Sequence, residues 1–192
     1  MAGKNRAIST DIGLESYSFS KSYASAGNSK PCIFLSHISV DKEVVEAIAE
    51  YIMEKADIDV YLDIHDKELQ RAVSMGNPAE ITALIERGIA SSTHTMCLIS
   101  EKTIGSWWVP YELGYAKKSG NKISSLKLKG NIELPEFLKI GDLIHGTKSL
   151  NEYIRKVINE FKRTKTNSPI NESLESYASA KHPLDNVLDC DA

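Results

Sequence analysis

The sequence predicts an α/β fold built on a parallel sheet with helices on both faces, and three observations carry that expectation. Short apolar runs of strand length recur along the chain, each stopping at a polar residue. Between them lie segments whose apolar residues return at helical spacing. The two kinds of segment alternate, and strands alternating with helices imply parallel pairing through right-handed crossovers.

Taken in order, Cys32-Ile33-Phe34-Leu35 is an apolar run suited to a strand buried on both faces, and it ends at Ser36-His37. A helix follows, opened by Ser39 or Asp41, with Val44, Val45, Ile48, Ala49 and Ile52 on one face. Ile58, Val60 and Leu62 alternate with Asp59 and Tyr61 to give a second strand that ends at Asp63. Ile64 to Gly76 reads as a long polar loop, after which Asn77-Pro78 supplies a cap and a first helical position. Ile81, Leu84, Ile85 and Ile89 form the stripe of that helix.

Thr95 to Ile99 is the third strand, closing on Ser100. The stretch Ser106-Trp107-Trp108-Val109-Pro110-Tyr111-Glu112-Leu113-Gly114 opens the next helix, which runs to Lys118 and turns at Ser119-Gly120-Asn121. Lys122 to Leu128 is a fourth strand whose alternating lysines place it nearer the sheet edge. Glu133 to Leu138 holds at most a short helical turn, and Asp142 to His145 is a fifth strand. Leu150, Tyr153, Ile154, Val157, Ile158 and Phe161 then mark a final amphipathic helix.

With 192 residues, 42% of them hydrophobic, the chain is sized for one good core with short appendages. Residues 1–30 and 164–192 read as polar extensions flanking a domain at 31–163. The two extensions share an echo, Ser22-Tyr23-Ala24-Ser25-Ala26 against Ser176-Tyr177-Ala178-Ser179-Ala180, which low complexity explains more simply than a shared docking role. A net charge of −3 argues against nucleic acid as a main partner, because no strong cationic field exists to release phosphate counterions. No apolar run approaches the roughly 20 residues that span a bilayer, and the first residues lead into polar sequence, so a cytoplasmic protein without a membrane partner is expected. Cys32 and Cys97 lie in apolar strands and Cys190 is far away, a spacing that indicates neither a disulfide framework nor zinc.

In open parallel sheets, ligands bind beyond the carboxyl ends of the strands. That rule selects Ser36-His37, Asp63 with the loop after it, and Ser100 through Glu112. If Pro110 takes the first helical position, Glu112 falls in the first turn, where free amides and the helix dipole favour an ionised carboxylate. Trp108, four positions earlier, is then placed to wall off a flat ligand, while Trp107 is read as packing. The plainer reading of the same residues is a glutamate that caps amides and tryptophans that fill core. Tyr61 lines the site or faces a helix; His65, His94 and His145 lack ligand spacing and read as structural, so no metal is expected.

These blocks together resemble the TIR (Toll/interleukin-1 receptor) domain, particularly its bacterial stand-alone members such as those of the Thoeris antiphage systems. The resemblance covers about residues 31–163. It is carried by Ile33-Phe34-Leu35-Ser36-His37-Ile38-Ser39-Val40-Asp41-Lys42, by Val60-Tyr61-Leu62-Asp63, by Ile85-Glu86-Arg87-Gly88-Ile89-Ala90-Ser91-Ser92, by Leu98-Ile99-Ser100 and by Ser106 through Leu113. It implies a flavodoxin-like fold, a five-stranded parallel sheet of order 2-1-3-4-5. It also implies that Glu112 is the glutamate that catalytic members need to cleave NAD⁺ at the nicotinamide–ribose bond, with NAD⁺ as substrate and no cofactor.

On that resemblance Trp108, Ser36, His37, Tyr61, Asp63 and Ser100 are expected to bind substrate. Ser36 and the amides opening the first helix would receive phosphate oxygens. The 64–76 segment matches the BB loop, with Asp66, Lys67 and Arg71 as assembly residues, although Asp66-Lys67-Glu68-Leu69-Gln70-Arg71 carries more charge than the common pattern and lacks an early glycine. Implied partners are further copies of the chain through TIR–TIR contacts, a phage-derived trigger and a separate effector that responds to an ADP-ribose-derived signal. The alternative is a non-catalytic TIR adaptor acting by self-association. A phosphorylatable receiver of the same fold fits poorly, since Ser36-His37 stands where adjacent acids would hold Mg²⁺ and Ser100 stands where an aspartate would end the third strand.

Overall fold

Five short strands pair in parallel in the order β2-β1-β3-β4-β5. They are β1 (Cys32–Ser36), β2 (Asp59–Tyr61), β3 (His94–Ile99), β4 (Lys122–Lys127) and β5 (Asp142–Ile144). The architecture comes from a computed structural model that describes residues 2–8, 30–163 and 182–191. Register sets Phe34 beside both Tyr61 and Thr95, and Ser36 beside Cys97. Every residue of β1 and β3 is buried, which is why these two strands read as unbroken apolar runs.

Two helices cover one face: α1 (Lys42–Ala56) and α5 (Thr147–Arg163). They pack Val45, Ile48, Ile52, Leu150, Ile154 and Val157 onto Ile33, Leu35, Val60, Met96, Leu98 and Leu126. The opposite face carries α2 (Lys67–Ser74), α3 (Pro78–Ala90) and α4 (Trp108–Lys118). There Phe34 and Tyr61 meet Leu69, Leu84, Ile85 and Ile89, while Cys97 and Ile99 meet Val109 and Leu113. Asn77 caps α3 by accepting the Glu80 amide, with Pro78 at the first position, as the sequence predicts. Helix α1 ends at Asp57, whose φ of 54° is left-handed, a conformation that short polar side chains tolerate.

The segment expected as a long polar loop is partly helical. Asp66 accepts the amides of Glu68 and Leu69 and so caps α2, which buries only Leu69 and Ala72 and ends at Ser74, two residues before Gly76, where φ is +60°. Two apolar contacts at i, i+3 are too short a stripe to announce a helix in sequence. The short turn near Leu138 is present as a 3₁₀ turn over Glu136–Lys139, and β4 lies one strand in from the edge.

Parts of both polar extensions are seated on the domain. Asn5 bridges Val60 in parallel, extending the sheet beyond β2. Ala7 is buried, and the Arg6 guanidinium reaches Asp59 Oδ2 at 2.9 Å and the carbonyls of Lys30 and Ser91. Gly3 passes so close to Ile58 that a Cβ would lie 2.0 Å from its carbonyl oxygen, which only glycine allows. At the other end, Leu184 and Leu188 join the α1/α5 core, and Asp189 bridges Gly146. The Asp191 carboxylate accepts the amides of Lys148 and Ser149, at 2.7 and 2.9 Å, at the positive end of α5. The repeated segments at 22–26 and 176–180 lie outside the described residues.

Candidate functional site

The carboxyl ends of β1 and β3, the turn after β2 and the start of α4 bring together a small group of polar side chains within a largely apolar layer. Strand alternation puts Ser36 and Cys97 on the same face, side by side in register, beneath α4. Val109 and Leu113 pack on that layer and fix the helix, which aims Glu112 down between them. The Ser36 hydroxyl donates to Glu112 Oε2 at 2.5 Å.

Glu112 is only 4% exposed. Burial pushes its carboxyl up to about 8, opposed by the Ser36 hydrogen bond and reinforced by the negative charge of Asp63. Sequence reasoning expects an ionised carboxylate in a first helical turn, and the structure overturns this. The helix begins at Trp108 and not at Pro110, so Pro110 is its third residue and Glu112 its fifth, beyond the free amides. Proline is equally at ease there, because no amide of the first turn has an intrahelical partner. Buried and with one donor, the carboxyl keeps its proton at neutral pH.

Asp63 and His37 flank this pair. The His37 Nδ1 proton goes to the Leu35 carbonyl at 3.0 Å, and the same nitrogen lies 3.8 Å from Asp63 Oδ1. Among the described residues Asp63 Oδ1 is buried with no hydrogen-bond partner. Burial raises the Asp63 carboxyl, against the pull of His37. The site thus holds two carboxyls disfavoured as anions, each of which a cationic ligand would favour in its charged form. Cys97, not singled out from sequence, completes the group: its thiol is pushed up to about 12 by burial and by Glu112, against the opposing pull of Ser36 beside it. Strand alternation with Ile99 was the available signal. Among the described residues no cluster of three or more His, Cys, Asp or Glu side chains is arranged to hold a metal ion.

The other expected contacts lie elsewhere. Tyr61 is buried on the α3 side, stacked on Phe34 at 5.7 Å between centroids, with its hydroxyl on Asp66 Oδ2. A Cβ at Gly88 would sit 2.6 Å from that ring, so glycine there makes room for it. Ser100 closes a turn: its amide donates to Thr103 Oγ1 at 2.9 Å and its hydroxyl accepts the Lys102 amide. Trp108 is half exposed and edge-on to Tyr111 at 5.9 Å between ring centroids. Trp107, read as packing, is instead 91% exposed. Of the expected assembly residues, Lys67 and Arg71 face solvent, but Asp66 is turned inward and 3% exposed.

A family model described as TIR domain matches residues 33–158, an interval that takes in Glu112 and, but for Cys32 at the start of β1, all five strands, yet neither seated end segment. Among solved structures the chain is similar to the TIR domain of the Toll-related receptor TRR-2 from the lower metazoan Hydra magnipapillata. The identity is 19%, the alignment covers 68% of this chain and 97% of that one, and the TM-score is 0.50. At that identity the likeness speaks for the fold alone, and the strand order agrees with it. No curated protein matches the chain.

Proposed function

The chain belongs to the TIR domain family, and on that premise we propose that it is an NAD⁺-cleaving enzyme of the glycohydrolase or ADP-ribosyl cyclase type. In this reading it releases nicotinamide and makes a cyclic or otherwise modified ADP-ribose signal that activates a separate effector in antiphage defence. The observation that carries the reading is Glu112: a buried carboxyl at the carboxyl end of the sheet, held by a single donor and near a second acid, Asp63, whose Oδ1 has no hydrogen-bond partner among the described residues.

The chemistry suits that arrangement. Nicotinamide leaves NAD⁺ as a neutral group from a cationic pyridinium, so little acid catalysis is needed, and positive charge develops on the ribose. A cation entering beside Glu112 lowers the carboxyl's affinity for its proton, so substrate binding releases that proton to solvent and leaves the carboxylate that stabilises the developing charge. In this reading Asp63 Oδ1, which lacks a hydrogen-bond donor among the described residues, accepts a ribose hydroxyl.

One observation favours a second reading, a non-catalytic adaptor that self-associates. Trp107 is almost fully exposed, with Trp108 and Tyr111 partly exposed beside it, and aromatic side chains of this kind anchor protein contacts. Purified protein incubated with NAD⁺, with and without conditions that promote assembly, separates the two. Nicotinamide release with an ADP-ribose-derived product identified by mass supports the enzyme; intact NAD⁺ under every condition, with assembly observed, supports the adaptor.

A further inference from the structure

We propose that Ser36 is a positioning residue: its hydroxyl fixes the Glu112 carboxyl in the orientation from which it meets a ligand. The kinetic part of this proposal rests on the NAD⁺-cleaving reading; the structural part does not.

Ser36 has one hydroxyl proton, and it goes to Glu112 Oε2 at 2.5 Å. Cys97 lies beside it across the β1–β3 register. All three side chains are buried, so water does not substitute for the serine. Ser36 is therefore not free to receive a phosphate oxygen, the role the sequence suggests for it. With Oε2 occupied, Oε1 is the oxygen that no hydrogen bond among the described residues reaches, and it is the one presented to a ligand. A carboxyl without the serine would be free to rotate about its last torsion, which is broad and roughly two-fold.

The same contact opposes the effect of burial on Glu112. The titratable groups around the carboxyl are Cys97 from β3, Asp63 from the turn after β2, and His37 through Asp63. None of these donates a hydrogen bond to it, so Ser36 alone favours the charged form by direct contact.

The test is the ionisation of Glu112, followed by NMR of protein carrying carboxyl-labelled glutamate, with Glu112→Gln assigning the signal. The midpoint of the unaltered protein is expected near 8. Ser36→Ala moves it up by about one pH unit, Ser36→Cys, of similar volume but a weak donor, moves it the same way, and Ser36→Thr leaves it within about 0.3. In NAD⁺ cleavage, Ser36→Ala lowers kcat/KM about tenfold at neutral pH, and the deficit closes at high pH. An unchanged midpoint in folded Ser36→Ala or Ser36→Cys protein overturns the proposal. If the unaltered protein does not turn over NAD⁺, the enzymatic reading fails while the titration still decides the role of Ser36.

Discussion

Asp66 and Glu112 are acids of nearly equal burial, 3% and 4% exposed, at two ends of the same helix-covered face, and they are built to opposite specifications. Asp66 accepts from the Tyr61 hydroxyl and from the amides of Glu68 and Leu69 at 3.0 and 3.1 Å, and the Arg87 guanidinium stands 3.6 Å away while also gripping Glu68. Three hydrogen-bond donors hold its carboxyl in place. Glu112 has one hydroxyl donor and a neighbouring acid. Burial alone therefore does not distinguish a structural acid from a chemical one; the number of donors does, because each donor commits the carboxylate to the fold and leaves less of it for a ligand.

The sharpest way to separate the two is substitution. Glu112→Gln keeps the shape and accepts the same serine proton, so nicotinamide release falls by roughly 10²–10³-fold while thermal stability is kept. Undiminished turnover would remove Glu112 from the chemistry. Asp66→Ala does the reverse: it removes a helix cap and strands the buried Tyr61 hydroxyl, at a cost of about 3 kcal/mol in urea unfolding. A loss below about 1 kcal/mol would show that Asp66 is dispensable to the fold.

Acidity gives a subtler contrast. The native state holds the Glu112 proton up to about 8, whereas the unfolded chain releases it near 4.5. Its contribution to stability is thus complete below the lower value and is lost as pH rises through that window. Against Glu112→Gln, the unaltered protein loses about 2 kcal/mol between roughly pH 6 and pH 8. His94, lowered to about 4 by burial, acts with the opposite sign, and chiefly below 6.5, but is common to both proteins and cancels in the difference. A difference that stays flat over this range contradicts the raised Glu112 value. The smallest effects belong to Lys67→Ala and Arg71→Ala, which are exposed and change stability by no more than about 0.5 kcal/mol; a larger change would mean that they carry structure.

Much of the fold was legible in sequence. The runs in β1 and β3 could only be buried strands, and Asn77-Pro78 could only open a helix at that point. The strand order came from the resemblance to TIR domains, since alternation alone does not order strands. Helix α2 was hidden because its stability comes from the Asp66 cap and its network with Tyr61 and Arg87, partners that are not periodic in sequence. Within the site, rules about strand ends found Ser36, His37, Asp63 and Glu112, because those rules are geometric. The state of Glu112 was not legible, since it depends on Ser36, 76 residues away, and on a helix start that proline at any first-turn position disguises. Trp107 was misplaced because the buried face of that helix start is filled by Val109, Glu112 and Leu113, which leaves both indoles outside it.

The seated segment at residues 182–191 bears on how the protein is made. Leu184 and Leu188 belong to the same core as Ile33 and Ile48, and the amides that open α5 are met by Asp191, more than forty residues further on. During synthesis, at about 5–20 residues per second, α1 and the sheet emerge seconds before these closing contacts exist. The nascent α1/α5 face therefore waits with apolar surface uncovered, and its closure is a late step gated by translation of the 182–191 segment. A chain stalled or clipped before Leu184 would carry the whole cluster around Glu112 and yet present an open core to the chaperones and proteases that patrol new protein.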